Sequence, residues 1–468
     1  MSEESWHQAR LIPTSGINGA EEQERRATSA LLAVMAAVRE FGRALTGPLG
    51  APAGATETFI EVPFPLGDGK VIPDGLIRVC RGQRVWTALV EVKTGPRELV
   101  AAQLEAYLDV AREQGFHALL TISNEIPPIA GQHPTPVDKR KLRKVALHHL
   151  SWSQVLSEAV MQKEHRGVAD PDQAWILGEL IRYLEHPRSG ALEFDDMGAS
   201  WVPTRDALVA GTLRATDPGA AHTAARFDAL LRYASLRLGR HLGTEVTPAL
   251  TRRELAEPGQ RILAAAAELA TAGTLHGAVK IPNAIGPLVV TADLRAGRIT
   301  CHVDVDAPRE GRPATRVNWL VRQLRAAPET VRIEASVVHG RGPGAAELLK
   351  VVRVEPGRLI ADPTKELRSF RVARSSTLGS KRGRGRGSFI DSILDAVDGF
   401  YGDVLQHLKA WSAAPPKLRE EPEPPTRPVA LSSTALSSQD GVEQAPDVPV
   451  ETRAVVKAMS GAELPGEG

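Results

Sequence analysis

Pro73-Asp74-Gly75 and, further along, Thr87-Ala88-Leu89-Val90-Glu91-Val92-Lys93-Thr94-Gly95-Pro96 are the stretches that decide the fold. The apolar, β-rich run 87–92 is halted by Thr94-Gly95-Pro96, the pattern of a strand buried on both faces. Side chains alternate across a strand, so Glu91 and Lys93 share one face while Val90 and Val92 take the other. Two opposite charges therefore point the same way at the strand's end.

Upstream, residues 59–64 and 71–79 read as two further strands around Gly67-Asp68-Gly69-Lys70, a hairpin-turn signal. Asp74 falls near the start of the second, and Arg81-Gly82-Gln83 turns the chain into the strand that carries Glu91. A meander of neighbouring strands thus brings Asp74 beside Glu91. Such a pair of carboxylates suits Mg²⁺, which prefers oxygen ligands and keeps several waters, with Mn²⁺ as a possible substitute. Lys93 would hold a water there or stabilise developing negative charge, which makes the expected site hydrolytic. Pro96 and Gly115 then bracket an expected helix. Leu99, Leu104, Leu108 and Ala111 form its apolar stripe, whereas Gln103 and Tyr107, spaced i,i+4, project together towards the site.

Taken in this order, these residues resemble the PD-(D/E)XK nuclease superfamily, with its restriction-endonuclease-like α/β fold, and the Gln-xxx-Tyr helix resembles the RecB-like branch. The resemblance covers about residues 15–160. It implies Mg²⁺ ligation by Asp74, Glu91 and the carbonyl of Val92, a catalytic role for Lys93, and orientation of DNA or the site by Gln103 and Tyr107. It also implies a helical glutamate ahead of the first strand. That helix is expected over residues 20–45, with Leu31, Leu32, Met35, Val38 and Phe41 as its buried face and Glu24, or else Glu21, as the extra ligand. Strands at 116–123 and 144–150 and a Ser151-capped helix complete the expected fold. The function implied is a Mg²⁺-dependent nuclease hydrolysing phosphodiester bonds of DNA, in repair or in defence against foreign DNA. The alternative is a non-catalytic nucleic-acid-binding or adaptor protein, with Asp74 capping a turn and Glu91–Lys93 serving as a strand-end ion pair.

The rest of the composition bounds these readings. Hydrophobic content of 42% with 24% charged residues is ordinary globular usage. No secretory signal and no apolar run of membrane-spanning length are read, so the expected location is cytoplasmic, with no membrane partner. Two cysteines, Cys80 and Cys301, give no disulfide framework or cysteine-rich zinc site. The net charge of +1 is uneven: from residue 413 onward five basic residues face nine acidic ones. The positive excess upstream gathers in Lys139-Arg140-Lys141-Leu142-Arg143-Lys144 and in residues 368–386, which end in Lys381-Arg382-Gly383-Arg384-Gly385-Arg386. Both clusters are candidate contacts to a nucleic-acid backbone, and solvated loops are the competing reading.

The expected organisation is a nuclease-like domain over 1–165, a helical extension over 166–212, an α+β domain of unknown role over 213–412 and a disordered acidic tail over 413–468. The extension contains a helix over 172–185 with Trp175, Ile176, Leu180, Ile181 and Leu184 as its packing face. The α+β domain is read as helices at 220–242 and 251–272, strands at 275–281, 287–294 and 298–305, a helix at 314–325, strands at 331–338 and 348–354, and a closing helix at 388–411. That domain or the tail could recruit a protein partner. His302, Asp304 and Asp306 alternate with an apolar face and read as the solvated side of a strand, and Gly340-Arg341-Gly342-Pro343-Gly344 reads as a turn.

Overall fold

The structure, a computed structural model, describes residues 11–12, 19–127, 129, 131–340 and 342–413, and the expected acidic tail lies outside them apart from its first residue. The described residues up to Ser412 belong to one compact unit. No described helix is long and apolar enough to cross a membrane. The architecture is mixed α/β, with one five-stranded sheet that contains parallel strands and one separate, wholly antiparallel seven-stranded sheet.

The first sheet follows α1 (Ala20–Ala37) and α2 (Arg39–Thr46). The expected continuous helix is broken at Val38, whose backbone is extended at φ −103° and ψ 93°. The break folds α2 back on α1 so closely that a Cβ on Gly42 would collide with the Met35 carbonyl oxygen. Leu31, Leu32, Met35, Val38 and Phe41 are all buried, as the apolar spacing predicts.

Next come β1 (Ala55–Ile60), the short hairpin β2 (Phe64–Leu66) and β3 (Gly69–Val71), β4 (Gly75–Arg81) and β5 (Arg84–Val92). The hairpin lies where the Gly67-Asp68 turn predicts it, but it is a separate ribbon, and β4 pairs with β1 instead. α3 (Ala101–Glu113) leads to β6 (Ala118–Ser123), and β7 (Ala146–Ser151) passes directly into α4 (Trp152–Val160). The sheet order is β1-β4-β5-β6-β7; β1 with β4 and β4 with β5 pair antiparallel, while β5, β6 and β7 run parallel. Ser151 caps α4 by accepting the Gln154 backbone N–H, as expected.

α3 starts later than the sequence predicts. Gly95 takes φ 61°, its N–H donates to Gly190 O at 2.9 Å, and Asn124 Nδ2 donates to Gly95 O at 2.9 Å. These ties hold residues 93–100 as an irregular crossing segment, and only at Ala101 is the chain free to coil.

A π-helical turn, Met161–Arg166, continues α4, and α5 (Pro171–Leu184) opens at Asp170, whose carboxylate accepts two backbone N–H groups. Leu177, Leu180, Tyr183 and Leu184 of α5 join α1, α4 and one face of the first sheet in a common core. Trp175, expected on that face, is 51% exposed, and the stripe is centred on Leu177 and Leu180 instead.

The second sheet is introduced by α6 (Trp201–Val209), which the sequence reading leaves out, and α7 (Pro218–Leu242). β8 (Thr247–Pro248), α8 (Arg252–Ala256) and α9 (Pro258–Ala272) follow, Pro258 splitting the single expected helix in two. Then come β9 (Thr274–Lys280), β10 (Leu288–Asp293), β11 (Arg298–Asp306), α10 (Pro313–Gln323), β12 (Arg332–Val337), β13 (Ala345–Leu348), α11 (Leu349–Val354), β14 (Leu367–Thr377) and α12 (Phe389–Asp403). The strand expected at 348–354 is thus mostly helix, and β14, which was not expected, sits between β11 and β12. Asp304 on the open face makes a two-pronged ion pair with Arg371 at 2.8 and 3.0 Å, in keeping with a solvated strand face.

Candidate active site

Pairing of β4 with β5 sets Gly75 opposite Val90, which leaves Asp74 level with Glu91 at the end of β5. Asp74 Oδ2 accepts the Val92 backbone N–H at 2.7 Å and lies 4.0 Å from Lys93 Nζ. Lys93 Nζ donates to Glu91 Oε1 at 2.6 Å, to Glu24 Oε1 at 3.1 Å and to the Val92 carbonyl at 3.0 Å. Of the two N-terminal candidates, Glu24 therefore reaches the lysine, while Glu21 is exposed and lines a cavity of about 140 Å³ together with Glu24, Glu61 and Asp74. Arg97 Nη1 approaches Glu24 Oε2 at 3.5 Å from the crossing segment.

Three carboxylates converge on one ammonium, and Glu91 is 1% exposed. Burial, then the negative charge of Asp74, pushes the Glu91 carboxyl up to about 8, with Lys93 pulling in the opposite direction. Burial alone would lower Lys93, but the carboxylates around it, Glu91 first, leave its ammonium raised and firmly charged. Glu91 Oε2 and Glu24 Oε2 are buried and accept no hydrogen bond. A buried carboxylate oxygen without a donor is costly, and one more cation would relieve it.

Tyr107 closes one side. Its hydroxyl accepts from Gln103 Nε2 at 2.9 Å and donates to the Ile72 carbonyl at 3.3 Å. Burial first, then the charge of Glu91, raises its phenol, so it stays protonated. The Lys93 carbonyl accepts from Trp152 Nε1 at 2.9 Å, which fixes the strand end from behind.

The structure brings together Asp74, Glu91, Val92, Lys93, Glu24, Gln103 and Tyr107. It keeps the basic clusters apart from them. Lys139, Arg140, Arg143 and Lys144 are exposed and precede β7, which starts level with Ala88, so they occupy the opposite end of the parallel strands from Glu91 and Lys93. Lys141 is tied to Asp109 at 2.5 Å. In the Arg-Gly run, Arg382 pairs with Asp196 at 3.1 Å, and Arg384 pairs with Glu193 at 2.7 Å and also with Asp391. Backbone bonds such as Met197 N–H to Arg382 O at 3.1 Å and Arg384 N–H to Asp195 O at 3.2 Å hold the run in place. Lys381 and Arg386 are exposed, with no carboxylate within ion-pairing distance among the described residues.

Sequence reasoning misses Arg97, Trp152 and Glu61. Glu61 adopts φ 53°, donates its N–H to Asp74 O at 3.2 Å and pairs with Arg25 at 2.8 Å. Nothing in the local pattern marks it. Arg97, four residues past Lys93, could have been found as a cation leaving the same strand end.

Among the described residues, no group of three or more His, Cys, Asp or Glu side chains stands arranged for a metal ion. The donors nevertheless suit a hard cation: carboxylate oxygens of Asp74, Glu91 and Glu24, two of them lacking donors, and a peptide carbonyl. No family model matches the chain, and neither a curated protein nor a solved structure matches it.

Proposed function

We propose that the protein is a Mg²⁺-dependent nuclease that hydrolyses phosphodiester bonds of DNA, in repair or in defence against foreign DNA, and that its first sheet is a restriction-endonuclease-like fold of the PD-(D/E)XK kind. The observation that carries this reading is Lys93 Nζ held between Glu91 at 2.6 Å and Glu24 at 3.1 Å, with Asp74 beside it, at the open end of β5. Asp74, Glu91 and the Val92 carbonyl, with Glu24 as a further oxygen ligand, would hold Mg²⁺ or Mn²⁺. When bound, the metal supplies positive charge that polarises a phosphate oxygen and lowers the pKa of a water. Lys93 positions the attacking water and stabilises the negative charge that grows on the phosphate. Tyr107, kept protonated and aimed by Gln103 and Ile72, fixes the wall against which the strand lies. Arg97 brings a second cation to the mouth.

The exposed quartet Lys139, Arg140, Arg143 and Lys144 serves DNA that extends beyond the reacting phosphate, because it stands at the far end of the strands. In this reading the protein works in the cytoplasm, and the second sheet or the tail engages a protein partner.

The adaptor reading draws on the lysine itself, which closes on two of the carboxylates a metal would need. Cleavage of single-stranded, duplex and branched DNA and of RNA, with Mg²⁺ or Mn²⁺ and then with chelator, separates the two. A nuclease cuts only with metal and stops cutting as Lys93→Ala. An adaptor binds without cutting, tolerates chelator and weakens with salt.

A further inference from the structure

A cavity of about 830 Å³ is walled by α2, the edge strand β7, α4, the π-helical turn Met161–Arg166 and α7. Its size is that of a site for a small organic ligand. His148 Nε2 lies in this wall, buried and without a hydrogen-bond partner. Burial lowers the basicity of the His148 imidazole, so the ring presents a neutral hydrogen-bonding edge. Two amides that line the same cavity have capacity to spare. Gln154 Oε1 accepts from Arg232 at 3.2 Å, which leaves its N–H groups, and Gln162 Nε2 donates to Gly167 O at 2.7 Å, which leaves its carbonyl oxygen. Donors and acceptors thus stand beside the apolar surfaces of Leu150 and Met161, and π-turns occur often at functional sites.

The rim has a different character. Arg43 is exposed and Arg240 half-buried, and neither has a carboxylate within ion-pairing distance among the described residues. Arg166 is neutralised by Glu158. Glu40 and Glu245 also line the cavity, so its overall charge is balanced, which suits a ligand with one phosphate and disfavours a polyphosphate or a nucleic-acid strand.

We propose that this cavity binds a nucleoside monophosphate, with the heterocycle inside against His148, Gln154 and Gln162 and the phosphate at the rim on Arg43 and Arg240. The proposal does not rest on the nuclease reading.

The test is calorimetry of the full chain in chelator, so that a metal-dependent site stays out of play, with the four common ribonucleoside monophosphates, their nucleosides and inorganic phosphate as probes. At least one monophosphate should bind one per chain, and its nucleoside at least about tenfold weaker, since the charge-assisted contacts to Arg43 and Arg240 are lost. Arg43→Glu with Arg240→Glu should weaken binding at least as much, His148→Phe should abolish it, and Asp74→Asn should bind as wild type does. If His148→Phe fails to fold by thermal unfolding, the rim variant decides. Three results overturn the proposal: no monophosphate binds, inorganic phosphate binds equally well, or Asp74→Asn loses binding that the rim variant keeps.

Discussion

The ammonium of Lys93 lies 2.6 Å from Oε1 of Glu91, two residues back on the same strand. It is also 3.1 Å from Glu24 on α1, so one cation joins the first helix to the end of the central strand. Glu24, Asp74 and Glu91 outnumber it. Burial of Glu91 first, and then the negative charge of Asp74, make its carboxyl resist ionisation, and the excess of carboxylates is the reason a further cation would be welcome.

Removing Lys93 strands the buried Glu91 and leaves Glu24 with Arg97 alone. Lys93→Ala should destabilise the metal-free protein by about 3–5 kcal/mol at pH 8.5, the usual loss when a buried pair keeps only one member. At pH 5 the loss should shrink, because Glu91 is protonated below about 8. Denaturant unfolding at both pH values checks this, and equal losses would mean that the lysine packs without pairing.

At the bend between α1 and α2 only glycine fits. Gly42→Ala should cost about 1–3 kcal/mol, because its Cβ meets the backbone of Met35 and nothing flexible can yield. Gly47→Ala, where a Cβ meets nothing, is the control and should leave the unfolding midpoint in place.

A half-buried histidine chain links β6 and β7. Thr121 Oγ1 lies 2.8 Å from His133 Nε2 and 2.9 Å from His149 Nδ1, and His149 Nε2 donates to Glu125 O at 2.9 Å. Burial holds His149 down at about 3, and it lowers His133 and His148 as well. Because the folded pKa lies below the unfolded one, the stabilising contribution is complete above about 6.5 and is lost as pH falls towards 3. Stability should therefore decline from pH 7 to pH 4, with protons taken up on unfolding. His149→Gln should flatten that slope, and an unchanged slope would assign the acid sensitivity elsewhere.

The hydroxyl of Tyr107 spans Gln103 and the Ile72 carbonyl. Tyr107→Phe should lower stability by only about 1 kcal/mol. It should cut kcat by up to about a hundredfold, as a displaced wall misaligns the reacting phosphate, while KM changes little. Steady-state kinetics beside a melting curve separates the two effects.

How far the sequence reveals this molecule depends on whether local pattern and tertiary context agree. Around Glu91 they agree: an apolar run, a stop at Thr94-Gly95-Pro96 and a preceding turn are local signals, and they set Asp74 beside Glu91 and Lys93 as the structure does, whereas Glu24 is reached only through the resemblance, with Glu21 as its alternative. The start of α3 is hidden because its delay is imposed by Gly190, about a hundred residues away, as the Gly95 N–H bonds to it. Leu349-Lys-Val-Val-Arg-Val is rich in β-branched valine and so reads as a strand, yet it coils as α11 and buries Leu349 and Val352, three apart on one helical face. In β14 the arginines draw attention to charge, although Phe370 and Val372 between them are core residues and Arg371 faces Asp304. The Arg-Gly run reads as loose because its partners, Glu193 and Asp196, are remote in sequence.

Single-turnover cleavage of duplex and single-stranded DNA across a Mg²⁺ titration, by wild type, Asp74→Asn and Asp304→Asn, tests the central claim most directly. Asp304 pairs with Arg371 in the second sheet and serves as the control. The nuclease reading predicts metal-dependent cutting by wild type and Asp304→Asn, and none by Asp74→Asn although it remains folded. Cutting by Asp74→Asn at the wild-type rate, or no cutting by wild type at any Mg²⁺ concentration on either substrate, would contradict it.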